Sequence, residues 1–426
     1  MKMSIVESLL KDIQLPRMNR IEQVFPRPGI GIDNIPGMIR EQIARRNLMK
    51  SIKTGQSVAV AVGSRGITNQ PLIVRTLVEE ILRAGGKPFI VPAMGSHAGA
   101  TAEGQKKMLW GLGFTEDAVG APIRSSMEVV ELGRTESGLP VLIDRTAWEA
   151  NHLIIVNRIK PHVCFRGKYE SGLLKMIAIG LGKQKGADIC HNLGFGRMAE
   201  NIPDIAREAL KKIRLLFGVG LIENPFHETC RIACLRPEEI VEEEPVLLEE
   251  ARTLSPRLHF DSLDILIIDE IGKDISGSGF DTNVVGRYHS EWISGGPKIT
   301  RLAILDISEE SKGNGNGLGM ADFTTERAAA KFDGEQTYPN TLTATLTGGV
   351  KIPMALRNDR LAVQACVKTV NLQNRQEARI VRIKNTLFLT ELEVSENMLP
   401  VLENDSRFRI LGEPYDWAFD KEGNLF

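Results

Sequence analysis

The chain has 426 residues, too many for one ordinary core, and its 42% hydrophobic and 25% charged content is that of a globular protein of two or three domains. Lysine plus arginine (53) nearly balance aspartate plus glutamate (54), leaving a net charge of −1 and no electrostatic ground for nucleic acid or an anionic membrane as partner. The opening MKMSIVESLLKDIQLP carries charges inside its apolar stretch and lacks a small-residue cleavage site, so it does not read as a signal peptide. Apolar runs such as Leu263–Ile268 fall far short of the roughly 20 residues of a membrane span. Five scattered cysteines suit a reducing compartment, and Cys230 and Cys234, a C-x3-C pair without a second pair, do not read as a zinc site. A soluble cytoplasmic protein is expected.

In chain order, Ser57–Gly63 (SVAVAVG) reads as a buried strand, followed by a turn and an amphipathic helix over Leu72–Ala84 with Pro71 at its start. Gly85-Gly86 stops that helix and Pro88–Met94 gives the next strand. Thr101 caps a helix to about Trp110, and His152–Ile159 is a third strand. A long amphipathic helix is expected over Met198–Leu215. This alternation predicts a largely parallel sheet flanked by helices. The acidic stretch Glu238–Pro256 marks a boundary, so the expected domains are 1–256 and 257–426. The second α/β series has strands Asp264–Asp269 and Arg301–Ile307 and helices Ala321–Phe332 and Asp359–Val370. Between them the Gly/Asn-rich run Lys312–Met320 lacks the context of a dinucleotide fingerprint and reads as a flexible loop. No internal repeat is evident.

Ligands of open parallel sheets sit beyond the carboxyl ends of the strands, and the polar segments of this chain fall there. After the first strand come Ser64, Arg65, Thr68 and Asn69, an anion site at a helix start, unless the hydroxyls merely cap. After the second comes Gly95-Ser96-His97-Ala98-Gly99, where glycines permit close approach of a ligand. After the third come Lys160-Pro161-His162, then Ser171-Gly172-Leu173-Leu174-Lys175-Met176, then His191-Asn192. Apolar neighbours would desolvate Lys175 and make it a nucleophile or acylation point; a surface lysine lying along its helix is the plainer alternative. Two histidines could serve as acid and base and a third as a metal ligand. His152, His227 and His259 read as structural or solvated. No G-x-S-x-G elbow, P-loop or H-E-x-x-H occurs.

The ordered set S-R-G-I-T, A-M-G-S-H, K-P-H, S-G-L-L-K-M and H-N over about residues 60–195 resembles the nickel-dependent lactate racemase family. The resemblance implies two α/β domains with an active site in the cleft between them. It further implies a nickel-pincer nucleotide, a pyridinium mononucleotide with two thiocarbonyl arms, tethered through Lys175 and held at nickel by His191, a square-planar site. Ser64, Arg65 and Thr68 would contact the cofactor, and Arg65 the substrate as well. His97 and His162 would be the acid/base pair, one taking the hydroxyl proton while the α-hydrogen leaves as hydride to the cofactor, the other returning the proton after hydride comes back on the opposite face. The activity implied is racemisation or epimerisation of a 2-hydroxy acid. The partners implied are that small molecule and the cofactor-synthesis proteins, without which a recombinant sample would be apo; a homo-oligomer is compatible.

Two departures bear on substrate. Val62 stands where the lactate enzymes carry an acid three residues before the arginine. In Asp281-Thr282-Asn283-Val284-Val285-Gly286-Arg287-Tyr288-His289, Gly286 takes a glutamine position and Arg287 or His289 the place of a lysine. Arg287 is therefore the expected substrate contact in the second domain, and a larger or differently charged hydroxy acid than lactate is expected. Competing readings are a metal-free Schiff-base enzyme centred on Lys175 and a non-catalytic cofactor-binding protein.

Overall fold

The computed structural model describes residues 4–64 and 66–426. The chain forms two compact units: Pro26–Ser255, and Pro256–Phe426 joined by the stretch that ends at Phe25. The sequence expectation put that stretch in the first domain; sheet pairing moves it. Its strand β1 (Met18–Gln23) is bonded along both edges by strands from the C-terminal end of the chain, which satisfies its backbone groups on both sides.

In the N-terminal unit the strands are β2 (Ser57–Val62), β3 (Lys87–Pro92), a hairpin β4 (Val129–Arg134) and β5 (Pro140–Asp144), then β6 (His152–Arg158), β7 (Leu215–Glu223) and β8 (Thr229–Leu235). The main sheet runs β3-β2-β6-β7-β8, parallel except for β8. A strand covered on both faces is apolar at every position rather than alternating, and Val58 through Val62 are each 0% exposed. Helix Gln70–Arg83 lays Ile73, Val74, Leu77, Val78 and Ile81 against this sheet, with Asn69 in the left-handed region at its start. The helix expected over Met198–Leu215 ends at Leu210, and Leu215 begins β7. The apolar run LLFGVG is a buried strand, which hydrophobicity alone does not separate from a continuing helix.

In the C-terminal unit the strands are β9 (Ser262–Ile271), β10 (Lys298–Ile307), β11 (Phe323–Thr325), β12 (Met354–Leu356), β13 (Ile380–Ile383), β14 (Glu391–Ser395) and β15 (Phe408–Tyr415). Their sheet runs β12-β11-β10-β9-β13-β14-β1-β15: the first five are parallel, and β14, β1 and β15 continue antiparallel. Helix Asp359–Thr369 buries Ala362, Val363, Cys366 and Val367 over Ile265, Ile267, Ala303 and Leu305. The helix expected over Ala321–Phe332 begins only at Glu326, because residues 323–325 form β11 and the Thr325 hydroxyl caps the Ala328 N–H at 3.0 Å. Among the described residues no helix is long and apolar enough to cross a membrane.

The glycine-rich run after β10 is a packed element, not a flexible loop. Asn314 and Asn316 are buried, with Asn314 Nδ2 donating to the Gln336 carbonyl at 2.6 Å and Asn316 Nδ2 to the Gly277 carbonyl at 3.1 Å. Gly279, at φ +86°, lies so close that a Cβ there would stand 1.8 Å from the Asn316 carbonyl oxygen. Gly279→Ala should therefore cost about 2 kcal/mol or more, from left-handed strain plus a clash with rigid backbone. Urea unfolding monitored by circular dichroism measures this, and wild-type stability in the variant would contradict the packing described.

Candidate functional site

The chain leaves β2 towards β3 and leaves β6 towards β7, so the crevice between the carboxyl ends of β2 and β6 is the topological switch point of the N-terminal sheet. Ser64 follows β2, His97 follows β3 and His162 follows β6. Beneath these loops runs Met176–Gly180, one turn of π-helix closed by the Leu181 N–H on the Met176 carbonyl at 2.8 Å, a form that recurs at functional sites. It touches both neighbouring strand ends. A Cβ on Gly63 would meet Asn157 Oδ1 at 3.3 Å and Met176 Cε at 3.5 Å, and the Gly95 N–H donates to the Gly180 carbonyl at 3.1 Å.

The His97 ring is hydrogen-bonded through Nδ1 to the Ser64 hydroxyl. A hydroxyl both donates and accepts, so either neutral tautomer of His97 is satisfied and Nε2 is able to give or take a proton. The turn that follows is strained: Ala98 and Ala100 hold φ of 56° and 52° around Gly99 at 67°. Left-handed non-glycine residues cost about 1 kcal/mol or more each and cluster where function demands a geometry. Arg65, expected as the anion-binding arginine, lies outside the described residues.

His162 sits in a loop closed at its base by the reciprocal Lys160–Ser171 backbone bonds. Buried Glu170 organises it, accepting the His162 N–H at 2.5 Å and the Gly167 N–H at 3.2 Å while pairing with Arg252 at 2.6 Å. His162 Nδ1 accepts the Cys164 N–H at 3.0 Å, which puts the proton of the neutral ring on Nε2. Burial first, then the positive charges of Lys175 and Lys160, hold its pKa well below the ordinary histidine value.

His191 is fixed by its own helix, Lys183–Asn192: Nδ1 donates to the Ala187 carbonyl at 2.7 Å. The remaining lone pair is on Nε2, the arrangement by which proteins orient a metal-binding imidazole. Burial, and secondarily Lys175, pushes its pKa down to about 4, so the ring is neutral at physiological pH. Phe195 lies against both rings, with centroids 5.5 Å from His191 and 6.3 Å from His162. Lys175 thus acts electrostatically on both histidines from the end of the short turn Leu173–Lys175. That turn is capped from below by Glu244 of helix Pro237–Leu254, whose Oε2 accepts the Leu173 and Leu174 N–H groups at 2.9 and 3.0 Å. Glu244 is fully desolvated and its pKa is raised to about 7. Oε1 lacks a hydrogen-bond partner, the pattern of a neutral acid carrying its proton there.

The structure thus joins Ser64 to His97, and Lys175 to His162 and His191, with Met176–Gly180 packed between the two groups. Thr68 is occupied elsewhere: its N–H donates to Glu223 at 2.7 Å and its hydroxyl to the His227 carbonyl, so a carboxylate already fills the helix start read as an anion site. Arg287, expected as a substrate contact, is held by its own unit. Its guanidinium pairs with Asp322 at 2.7 Å and donates to the Met320, Ile299 and Thr300 carbonyls within the C-terminal unit. His289 is half-buried there, with burial and then Lys273 lowering its pKa to about 4. His152 bonds Gln56, and His259 packs on Phe25 and Phe408. Sequence reasoning missed Phe195, Glu170 and Glu244. The phenylalanine had no motif, Glu170 acts by folding its own loop onto its carboxylate, and Glu244 caps a segment some 70 positions away.

Among the described residues no three His, Cys, Asp or Glu side chains gather as a metal site. One oriented imidazole beside a lysine instead fits a metal whose other ligands arrive with a tethered cofactor. Residues 14–201 match the lactate racemase N-terminal domain, a match that supports a racemase or isomerase. In overall fold it is similar to the lactate racemase apoprotein of Thermoanaerobacterium thermosaccharolyticum, at 14% identity and a TM-score of 0.50 over 86% of this chain and 94% of that one. No curated protein matches by sequence.

Two outcomes follow from the charges. Because the folded pKa of Glu244 is raised from 4.5 to about 7, its proton stabilises the fold at low pH and that stability is lost as pH rises through about 7. Glu244→Gln should remove this component, on the order of 3 kcal/mol between pH 4.5 and 8. Unfolding titrations of both proteins across that range measure it, and parallel pH profiles would refute it. Separately, Lys175→Met should raise the pKa of His162 in the cofactor-free protein while leaving it below the ordinary value, since burial remains. An NMR titration of the ring showing no rise would remove Lys175 from the neighbourhood of His162.

Proposed function

We propose that the protein is a racemase or epimerase of a 2-hydroxy acid other than lactate, working with a nickel-pincer nucleotide tethered at Lys175 and ligated by His191. The observation that carries this reading is the pairing of a neutral, Nδ1-anchored His191 with Lys175 beside His162, within a chain stretch that matches the lactate racemase N-terminal domain. The cofactor, when bound, supplies the reversible hydride acceptance that a protein side chain cannot. Everything else falls to this chain.

His97 is the residue arranged to take the hydroxyl proton, because the Ser64 hydroxyl can accept from Nδ1–H in the tautomer whose Nε2 is the basic nitrogen. His162 meets the same oxygen as an Nε2–H donor and stabilises the planar keto acid. For inversion in the opposite sense His162 becomes the base, which requires it to release the Cys164 N–H from Nδ1. Acylation of Lys175 removes a positive charge from beside His162 and so makes that step easier. Phe195, packed on the His162 and His191 rings, helps keep water from the hydride step. Arg287 being tied to Asp322, recognition of the substrate's distal group falls to other residues, Arg65 among them by the family resemblance.

The test is protein produced together with cofactor-synthesis proteins, incubated with single enantiomers of 2-hydroxy acids of graded size and charge, with inversion read by chiral chromatography. His97→Ala and His162→Ala should each lower turnover about 10²–10⁴-fold in both directions. Lys175→Ala should lose the covalent mass increment, and His191→Ala the nickel. Activity and nickel that survive these changes would overturn the reading; an imine trapped by borohydride on Lys175 would favour Schiff-base chemistry instead.

A further inference from the structure

At the first residue of the helix that carries His191, the chain places a lysine with a fully buried side chain, Lys183, in the left-handed region at φ 56°. Its ammonium donates to the Pro92 carbonyl at the end of β3 and to Gln105 Oε1 at 3.0 Å, and it pairs with the Asp144 carboxylate, 3.1 Å from Oδ2. Each acceptor belongs to a different element. Asp144 ends β5, caps the next helix through the Ala147 N–H at 2.8 Å, and takes the Leu181 carbonyl on its own N–H at 2.7 Å. Gln105, also fully buried, turns its amide to the His97 turn, donating to the Gly95 carbonyl at 2.9 Å and more weakly to the His97 carbonyl at 3.4 Å. One cation therefore links the backbone of the His97 turn, the end of the π-turn and the start of the His191 helix.

An ion pair with no exposed surface is a poor source of net stability, because desolvation offsets most of its attraction. A lysine held in left-handed backbone adds strain to the balance. Such an arrangement is retained where geometry matters more than stability.

We propose that Lys183 is a positioning residue for the catalytic site, a buried hub that sets the His97 turn against the helix bearing His191. This rests on the roles of His97 and His191 given above. The hub acts through Gln105 on one side and through its own backbone on the other. Losing it lets the two imidazoles drift relative to one another without touching either ring.

Two proteins test it: Gln105→Leu, which cuts the hub from the His97 turn and keeps the ion pair, and Lys183→Met with Asp144→Leu, which replaces the pair by apolar side chains of similar volume. Both should fold, since apolar replacement of a buried pair is often neutral. In cofactor-free protein, hydrogen exchange at the Gly95 and His97 amides should quicken at least about tenfold, the misplacement being local. In cofactor-loaded protein kcat should fall about 100-fold with KM little changed, the signature of lost alignment rather than lost binding. Wild-type kcat in both variants overturns the hub even if exchange quickens, because the role would then be structural only. Should the wild type invert no hydroxy acid at all, the reading of function fails by itself and exchange decides: unchanged protection at Gly95 and His97 overturns the hub.

Discussion

The close approach of Met176–Gly180 to the ends of β2 and β3 is the constraint on which the site depends. A Cβ on Gly180 would stand 2.7 Å from the Ala93 carbonyl and 2.9 Å from Met176 Sδ, and Gly95 is held at φ 56° facing Ile179. Only glycine permits backbones to meet at this distance. Because they do, the loops after β2 and β3 rest on the same turn that begins at Lys175. Lys175 and His97 thus share one floor, although 78 positions separate their numbers in the chain.

Beneath that floor the unit buries charge where apolar packing would be simpler. Glu244 caps the Lys175 turn, Glu170 gathers the His162 loop, and Lys183 with Asp144 holds the His191 helix. Each group faces backbone N–H or carbonyl groups that have no helix or sheet partner, since loops at strand ends leave them over. Polar groups removed from water must be satisfied, and one charged side chain satisfies several at once. The irregular backbone that presents His97, His162 and Lys175 is thus stabilised from behind. The residues facing the crevice are left to meet a ligand.

The sequence made the strand–helix alternation of the N-terminal unit legible because VAVAV and LIIV are unbroken apolar runs, the first followed by Gly63 and the second leading to Lys160-Pro161. Lys175, His191, His97 and His162 stood out as candidates through the order and spacing of the motifs that carry the family resemblance. The sequence did not reveal that β1 pairs with β14 and β15, because such pairing spans hundreds of residues and leaves no local period. Nor did it reveal the fate of Arg287, whose partner Asp322 lies 35 positions away. The run Lys312–Met320 differs from its expected flexible loop for a related reason. Glycine and asparagine are common to mobile loops and to backbones packed within a few ångströms of one another, and only the neighbours at Gly277–Gly279 decide between them.

In the proposed inversion the two histidines begin from different positions, and this bears on its reversibility. His97 borders a hydroxyl that accommodates both tautomers, whereas the Nδ1 of His162 is held by a backbone N–H that favours one. A racemisation has an equilibrium constant of one, so the two directions must be equally fast at equal enantiomer concentration below saturation whatever the asymmetry of the site. The asymmetry can therefore appear only in the separate kcat and KM values, not in their ratio. For an epimerase, whose substrate has a second stereocentre, no such equality holds, and the tautomer preference of His162 would add to the substrate's own bias. The positive charge at Lys175 opposes any protonation of His162. In the proposed enzyme, acylation of that amine removes this opposition, so attachment of the cofactor and tuning of the second base are one chemical event.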